Sequence, residues 1–313
     1  LHIAQGLLRT ITINKLILAG VDFKMLVADW HAWANNKYGG DLKKIQIAGE
    51  YFIEVWKACG LDMKHVEFIW ASDLVNSREY WKTVMEVARN SSLNRILRTT
   101  QIMGRSEKDT LSAAQIFYPC MQAADVFHLK VDICQLGMDQ RKVNVLAREL
   151  APTLGYDKPI AIHHHMLMGL TQPPVGEDSV ERAIAMKMSK SKPDTAIFMT
   201  DSTSDITRKI RNAYCPEGQI KENPLLEYCS YLIFPREGSL VIERKKEHGG
   251  RVEFETYESL CDAFSKKEIH PLDLKQAVAL SIDRMISPVR EHFEKNARAK
   301  KLKEQVESFT ITR

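Results

Sequence analysis

The chain has 313 residues, 44% of them hydrophobic and 27% charged, with a formal net charge of +4. That length supports a sizeable core and suggests two domains rather than one. No uninterrupted apolar run of about 18 residues exists, which argues against a membrane-spanning helix. The charge is too small to announce a nucleic-acid binder by itself.

The chain opens at Leu1 with neither an initiator Met nor a signal-like segment, so it reads as a fragment whose N-terminus is missing. LHIAQG (1–6) leads directly into a helical stretch, GLLRTITINKLILAG. VDFKMLVADWHA (21–32) holds the apolar run KMLVA of a buried strand, with polar residues at its C-terminal end. GGDLKKIQIAGEYFIEVWKACGL (39–61) is helix-periodic, with Ile45, Ile47, Tyr51, Ile53 and Trp56 assigned to one side. HVEFIWAS (65–72), HLKVDICQLG (128–137) and PIAIHHHML (159–167) read as further strands. Strands separated by helices imply βαβ units and a mostly parallel sheet.

After residue 200 the pattern changes. TSDITRKIRNAYC, NPLLEYCSYLIF, TYESLCDAFSKK and the long run from LDLKQ to the basic tail NARAKKLKEQ read as helices, with Thr203 or Ser204 capping the first. SLVIERKKEHGGRVEFE (239–255) reads as short strands turning at Gly249-Gly250. The expected fold is α/β: a Rossmann-like parallel-sheet domain over residues 1–200, followed by a mainly helical domain over 201–313.

Cys59, Cys120, Cys134, Cys215, Cys229 and Cys261 form no CxxC pair, and none stands beside a histidine at metal-ligand spacing. Scattered thiols fit a reducing, cytoplasmic compartment. The triplet His163-His164-His165 lacks nearby cysteines or acids, so no metal site is assigned.

In an open parallel sheet, ligands bind beyond the carboxyl ends of the strands. Asp29 to His31, Gln135 to Gln140 and His163 to Met166 are therefore the first segments to inspect. In AAQIFYPCMQAADVFHL, Tyr118, Gln122 and Asp125 stand at i, i+4 and i+7, on one helical face. They are either a small polar site in an apolar wall or a polar stripe that meets water. KMSKS (187–191) carries two lysines able to close over a polyphosphate, or is a solvated loop. His2, at a helix start, sits where backbone N–H groups and the helix dipole favour an anion.

HIAQ at 2–5 resembles the HIGH signature of class I aminoacyl-tRNA synthetases, which pairs with a downstream KMSKS. Gln5 replaces the second histidine; an amide donates a hydrogen bond but carries no positive charge. YPCMQAADVFHLKVDICQLGMDQ resembles the amino-acid site of eukaryotic and archaeal tyrosyl-tRNA synthetases, a Tyr-x-x-x-Gln-x-x-Asp helix followed by Gly-x-Asp-Gln. IHPLDLKQAV (269–278) resembles their anticodon-reading helix start.

The resemblance implies that L-tyrosine is activated with ATP and passed to tRNA(Tyr), by a catalytic domain (1–200) and an anticodon-binding domain (201–313). Asp125 would accept from the substrate phenol, while Tyr118, Gln122 and Gln140 would hold its ammonium group. Leu26, Ala28 and His31 would line the pocket floor; the first two also read as core strand residues and His31 as a structural histidine. His2, Gln5, Lys187 and Lys190 would be catalytic. ATP would meet His2, Gly137, Asp139, Met166, Leu167, Lys187, Ser189 and Lys190, with Mg²⁺ accompanying it and no protein ligand named. His248, His270, Pro271 and Asp273 would read the anticodon, although Pro271 and Asp273 equally suit a helix start.

The family carries a further tyrosine, upstream of its histidine signature, that shares the substrate phenol; this chain starts after that point. The resemblance also implies a homodimer through residues 85–118, whose Ile96, Leu97, Ile102, Met103, Leu111 and Ile116 exceed the apolar surface that two local helices need. Two alternatives remain: a non-catalytic RNA-binding relative, and tryptophanyl specificity on the same fold. Intact His2, Asp125, Lys187 and Lys190 disfavour the first, and Asp125 with Gln122 suits a phenol better than an indole.

Overall fold

Two parallel strand pairs carry the sequence's apolar runs, and they sit among helices in a computed structural model that describes residues 1–104, 110–174, 182, 186, 188 and 193–309. In chain order the elements are α1 (Arg9–Leu18), β1 (Phe23–Val27), α2 (Asp29–Ala34), α3 (Leu42–Ala58), β2 (Val66–Trp70), α4 (Ala71–Leu74), α5 (Arg78–Arg89), α6 (Leu93–Thr99), α7 (Ala113–His128), β3 (Ile133–Gly137), α8 (Arg141–Leu154) and β4 (Ile160–His164). There follow α9 (Thr203–Arg211), α10 (Pro224–Tyr228), α11 (Phe234–Glu237), β5 (Leu240–Ile242), β6 (Val252–Phe254), α12 (Tyr257–Ser265), α13 (Pro271–Lys295) and α14 (Ala297–Glu307). The chain forms two units that interleave in sequence: Asp22–Tyr51 with Met63–Met166 and Leu302–Arg313, and Leu1–Val21 with Phe52–Asp62 and Leu167–Lys301. Neither unit has a boundary at residue 200, where the sequence pattern changes.

The strand-bearing unit pairs β1 with β2 and β3 with β4, both in parallel, in the registers Met25↔Phe68 and Leu136↔His163. Parallel neighbours cannot be joined by a tight turn. The crossovers are α2 with α3 for the first pair and α8 for the second. Gly49 of α3 lies against the first pair: a Cβ there would sit 2.7 Å from the Trp70 ring and 2.9 Å from Val27. The side of α3 that is buried in this unit carries Ile45, Ala48 and Tyr51, while Ile47 is half-buried. The helical period therefore runs through Ala48 rather than through Ile47, as the sequence reading had it.

α5, α7 and α8 build the main core of this unit. Tyr80, Val84 and Val87 of α5 meet Cys120, Ala123, Ala124 and Phe127 of α7, and Val143, Leu146, Ala147 and Ala151 of α8 complete the cluster. The paired alanines, both fully buried, allow close helix approach. Ser112 and Gln115 cap α7 reciprocally, Ser112 Oγ accepting from Gln115 N and Gln115 Oε1 from Ser112 N. Ile96, Ile102 and Met103 are buried in this same core, so they are not the surplus apolar surface that the sequence suggested. In that segment Met85, Leu93 and Phe117 are the exposed large apolar residues.

The other unit holds the N-terminal segment, α1 and most of the C-terminal helices. Ser202, not Thr203 or Ser204, caps α9, because its Oγ accepts from Asp205 N while Asp205 reaches back to the Ser202 N–H. α13 buries Leu274, Val278, Ser281, Ile282, Met285 and Val289 along one stripe. β5 and β6 pair antiparallel, Ile242 opposite Val252. Their connection is longer than a two-residue turn: it includes a 3₁₀ turn at Lys246–His248, then Gly249 and Gly250 at φ 94° and 67°, and Arg244 Nε donates to the Gly250 carbonyl.

Gly49→Ala should destabilise the protein by about 1–3 kcal/mol, the usual cost of overpacking. Denaturant unfolding monitored by tryptophan fluorescence measures this. An unchanged midpoint would mean that α3 shifts freely off the strand pair.

Candidate active site

The strand ends expected to carry ligand chemistry divide into structural and open groups. Asp29, just past β1, is 2% exposed, and both its oxygens are engaged. Oδ1 accepts from Ser72 N and Trp30 N at 3.0 Å each, and Oδ2 from Gln46 Nε2 at 3.1 Å. It ties the ends of β1 and β2 to α3 and is a buttress. His163 and His164 likewise look inward: His163 Nε2 lies 3.1 Å from Asn144 Nδ2, and His164 Nδ1 lies 2.6 Å from Gln135 Nε2. Burial, and then the Arg141 charge, lower the basicity of His163.

Gly137, at the end of β3, has an ordinary φ of −68°. Its restriction is steric, since a Cβ would lie 2.6 Å from Asp139 Oδ1 and 2.7 Å from Met166 Sδ. Asp139 and Met166 therefore crowd directly over the glycine.

The polar face of α7 is turned away from water: Asp125 is buried, and Tyr118 and Gln122 are half-buried. Asp125 is 4% exposed. Its Oδ1 accepts from the Tyr80 hydroxyl at 2.9 Å. Its Oδ2 lies 2.9 Å from His31 Nε2, off the line a hydrogen bond needs, and both atoms are buried without a hydrogen-bond partner. One turn back, Gln122 Nε2 donates to Gln140 Oε1 at 3.2 Å, and Gln140 Nε2 donates to the Ile102 carbonyl at 3.0 Å. That relay fixes both amides and leaves Gln122 Oε1 buried with no partner. The Tyr118 ring meets His31 edge-on at 5.2 Å. Burial, then the carboxylates of Asp125 and Asp139, push the Tyr118 phenol up, so it stays a hydroxyl. Leu26 is half-buried against this core and Ala28 is exposed beyond the end of β1.

Chemically, the face offers two buried acceptors without a hydrogen bond: Asp125 Oδ2, beside the His31 ring, and Gln122 Oε1 a turn away. Acceptors held in low dielectric call for a hydroxyl or ammonium donor.

In the other unit, His2 is half-buried and bridges Phe198 antiparallel, with Ile3 N donating to Ile197 O and Met199 N to Leu1 O, both at 2.9 Å. The histidine signature is thus laddered to the chain that follows KMSKS. Gln5 is exposed, and its carbonyl accepts from Trp56 Nε1 at 2.9 Å. Leu167 and Met188 are buried. Lys187, Ser189 and Lys190 lie outside the described residues. Lys209, 5% exposed, donates to Ala196 O at 3.0 Å and to Asp201 Oδ2 at 2.6 Å, and lies 4.8 Å above the Phe198 ring. This buried cation anchors the same ladder.

His270 caps α13, its Nδ1 accepting from Leu272 N at 3.2 Å, with Pro271 at the first helical position and Asp273 in the first turn. His248 is exposed, 3.5 Å from Glu247.

Tyr80 was missed, because REYWKTVMEV reads simply as an amphipathic helix. Its one signal is a hydroxyl-bearing ring at the head of the apolar stripe Tyr80, Val84, Val87.

The family described as tRNA synthetases class I (W and Y) matches residues 1–287. Tyrosine–tRNA ligase 1, cytoplasmic, of Arabidopsis thaliana is 49% identical over 316 residues, covering 100% of this chain and 79% of that protein. Tyrosine–tRNA ligase of Thermococcus kodakarensis is 42% identical, covering 95% and 84%. The tyrosyl-tRNA synthetase of Pyrococcus horikoshii, solved with L-tyrosine, superposes with a TM-score of 0.90 at 38% identity, covering 97% of this chain and 87% of that one. By fold, motif order and similarity over its whole length, the chain belongs to the tyrosyl-tRNA synthetases of class I.

Proposed function

We propose that this chain activates L-tyrosine with ATP to tyrosyl-adenylate and transfers the tyrosyl group to the 3′ end of tRNA(Tyr). The observation that carries the reading is the pair of buried, partnerless acceptors on α7, Asp125 Oδ2 and Gln122 Oε1. A phenol hydroxyl satisfies the first, and the substrate ammonium, with Tyr118 and Gln140, the second. Leu26, Ala28 and His31 would border the ring. An indole N–H is also a donor, but the similarity of the chain to proteins named tyrosine–tRNA ligase favours the phenol.

The substrate carboxylate would attack the α-phosphorus of ATP in line, with pyrophosphate leaving; a terminal tRNA hydroxyl would then take the acyl group, releasing AMP. No covalent enzyme intermediate is needed, so catalysis is positioning and charge matching. His2, Gln5, Lys187 and Lys190 would meet the phosphates, with Ser189 beside them. Gly137 and Asp139 would receive the ribose, the glycine because nothing larger leaves room for Asp139. Met166 and Leu167 would border adenine. Mg²⁺ would arrive with ATP and offset phosphate charge, and we assign it no protein ligand.

Residues 1–200 would form the catalytic domain and 201–313 the anticodon-binding domain, with His248, His270, Pro271 and Asp273 facing the anticodon. His270 is already engaged as a helix cap, which leaves Asp273 as the open acceptor of this group. The protein would act in the cytoplasm as a homodimer through residues 85–118, where Met85, Leu93 and Phe117 supply exposed apolar surface. No described helix is long and apolar enough to cross a membrane.

ATP–pyrophosphate exchange with tyrosine, tryptophan and phenylalanine is the direct test; exchange driven by tryptophan instead of tyrosine would refute the reading. Asp125→Ala should erase the preference for tyrosine over phenylalanine, a loss on the order of several kcal/mol in relative transition-state binding. Asp273→Ala should weaken charging of tRNA by about 1–3 kcal/mol, the worth of one base contact, and leave exchange untouched. Equal loss in both reactions would make Asp273 a structural residue of the helix start. Light scattering at micromolar concentration should report a dimer, and a monomer would remove that part of the proposal.

A further inference from the structure

We infer that Tyr80, which lies in none of the family motifs, is the positioning residue that decides which oxygen of Asp125 meets the substrate hydroxyl, and that it thereby sets the preference for a phenol. The inference rests on the tyrosine reading above. A carboxylate offers two oxygens and can turn about its last bond, so a buried one left to itself has no fixed direction in which to accept. Here Oδ1 is taken by the Tyr80 hydroxyl at 2.9 Å.

The tyrosine is completely buried and cannot swing away. Its ring packs edge-on between Trp81 at 5.7 Å and His128 at 5.4 Å. Burial and the neighbouring carboxylate keep its phenol protonated, so it can only donate to Asp125. With Oδ1 filled, Oδ2 is the buried oxygen still without a partner, and the nearby His31 Nε2 at 2.9 Å is not aligned to satisfy it. The hydroxyl of Tyr80 thus leaves one acceptor open in one direction. Without it the carboxylate would have two unfilled buried oxygens and no preferred orientation toward a ligand.

Tyr80→Phe removes one oxygen atom and keeps the ring. In ATP–pyrophosphate exchange on the whole chain, kcat/KM for tyrosine should fall roughly ten- to a hundredfold, the worth of one hydrogen bond to a charged acceptor. The fall should lie mainly in KM. The value for phenylalanine, which has no hydroxyl to orient, should stay where it is. Equal losses for the two amino acids, or an unchanged ratio, would overturn the inference and leave Tyr80 a packing residue.

If Tyr80→Phe does not fold, Asp125→Ala and the double variant supply the comparison without a buried charge. Adding Tyr80→Phe to Asp125→Ala, where no carboxylate is left to orient, should then leave the tyrosine-to-phenylalanine ratio unaltered; a further drop would overturn the inference. The unmodified chain is assayed first. Failure of tyrosine-driven exchange there refutes the proposed function itself, whereas normal exchange followed by a flat Tyr80→Phe result refutes only the role of Tyr80.

Discussion

A carboxylate buried at the centre of a helix-packed core is the constraint on which the strand-bearing unit depends. Asp125 stands on α7 among Cys120, Met121, Ala123, Ala124 and Phe127, all buried. Removing a charge from water costs several kcal/mol unless partners replace the water. One partner comes from α5 as the Tyr80 hydroxyl, and the His31 ring from α2 stands beside the other oxygen. The Tyr80–Asp125 hydrogen bond therefore holds α5 and α7 at hydrogen-bond spacing, with the α2 histidine packed alongside. The fully buried alanines of α7 and the α5 stripe help to hold that spacing.

Much of this was legible in the chain. The strand runs were readable because buried parallel strands are continuously apolar, and β1 to β4 fall inside the segments read from sequence. The Tyr118–Gln122–Asp125 face was readable because three polar residues at helical spacing interrupt an apolar wall. What sequence could not supply was the partner across space. Tyr80 lies 45 positions before Asp125, and its helix looks like any amphipathic one. Asp29 was flagged for ligand chemistry, yet its oxygens are spent on Ser72, Trp30 and Gln46. A residue's position at a strand end says that it can face a ligand, and only its hydrogen bonds say whether it is free to. The choice between Ser202 and its neighbours as the cap of α9 failed for a similar reason: three hydroxyl residues in a row look alike until Asp205 selects one.

The second unit solves a different problem. The histidine signature and the stretch that follows KMSKS lie almost two hundred residues apart and have to be brought together. Here residues 1–3 are laddered to 197–199, and the ladder is braced by Lys209 through Asp201 and the Phe198 ring. The lysine is shielded from water, but its ammonium finds a carboxylate, a carbonyl and an aromatic face. The stretch leaving the KMSKS signature is thereby fixed to the stretch that carries His2.

Gly137 has a consequence for how such a protein can change over generations. Every single-base change in a glycine codon that alters the residue without ending the chain introduces a Cβ. At Gly137 that atom would collide with Asp139 Oδ1 and Met166 Sδ together, at 2.6 and 2.7 Å. Shortening Met166 beforehand relieves only one of the two clashes. A Cβ at this position therefore asks two side chains, Asp139 and Met166, to turn aside at once. What favours glycine there is not its own conformation, which any residue could adopt, but the side chains that stand over it.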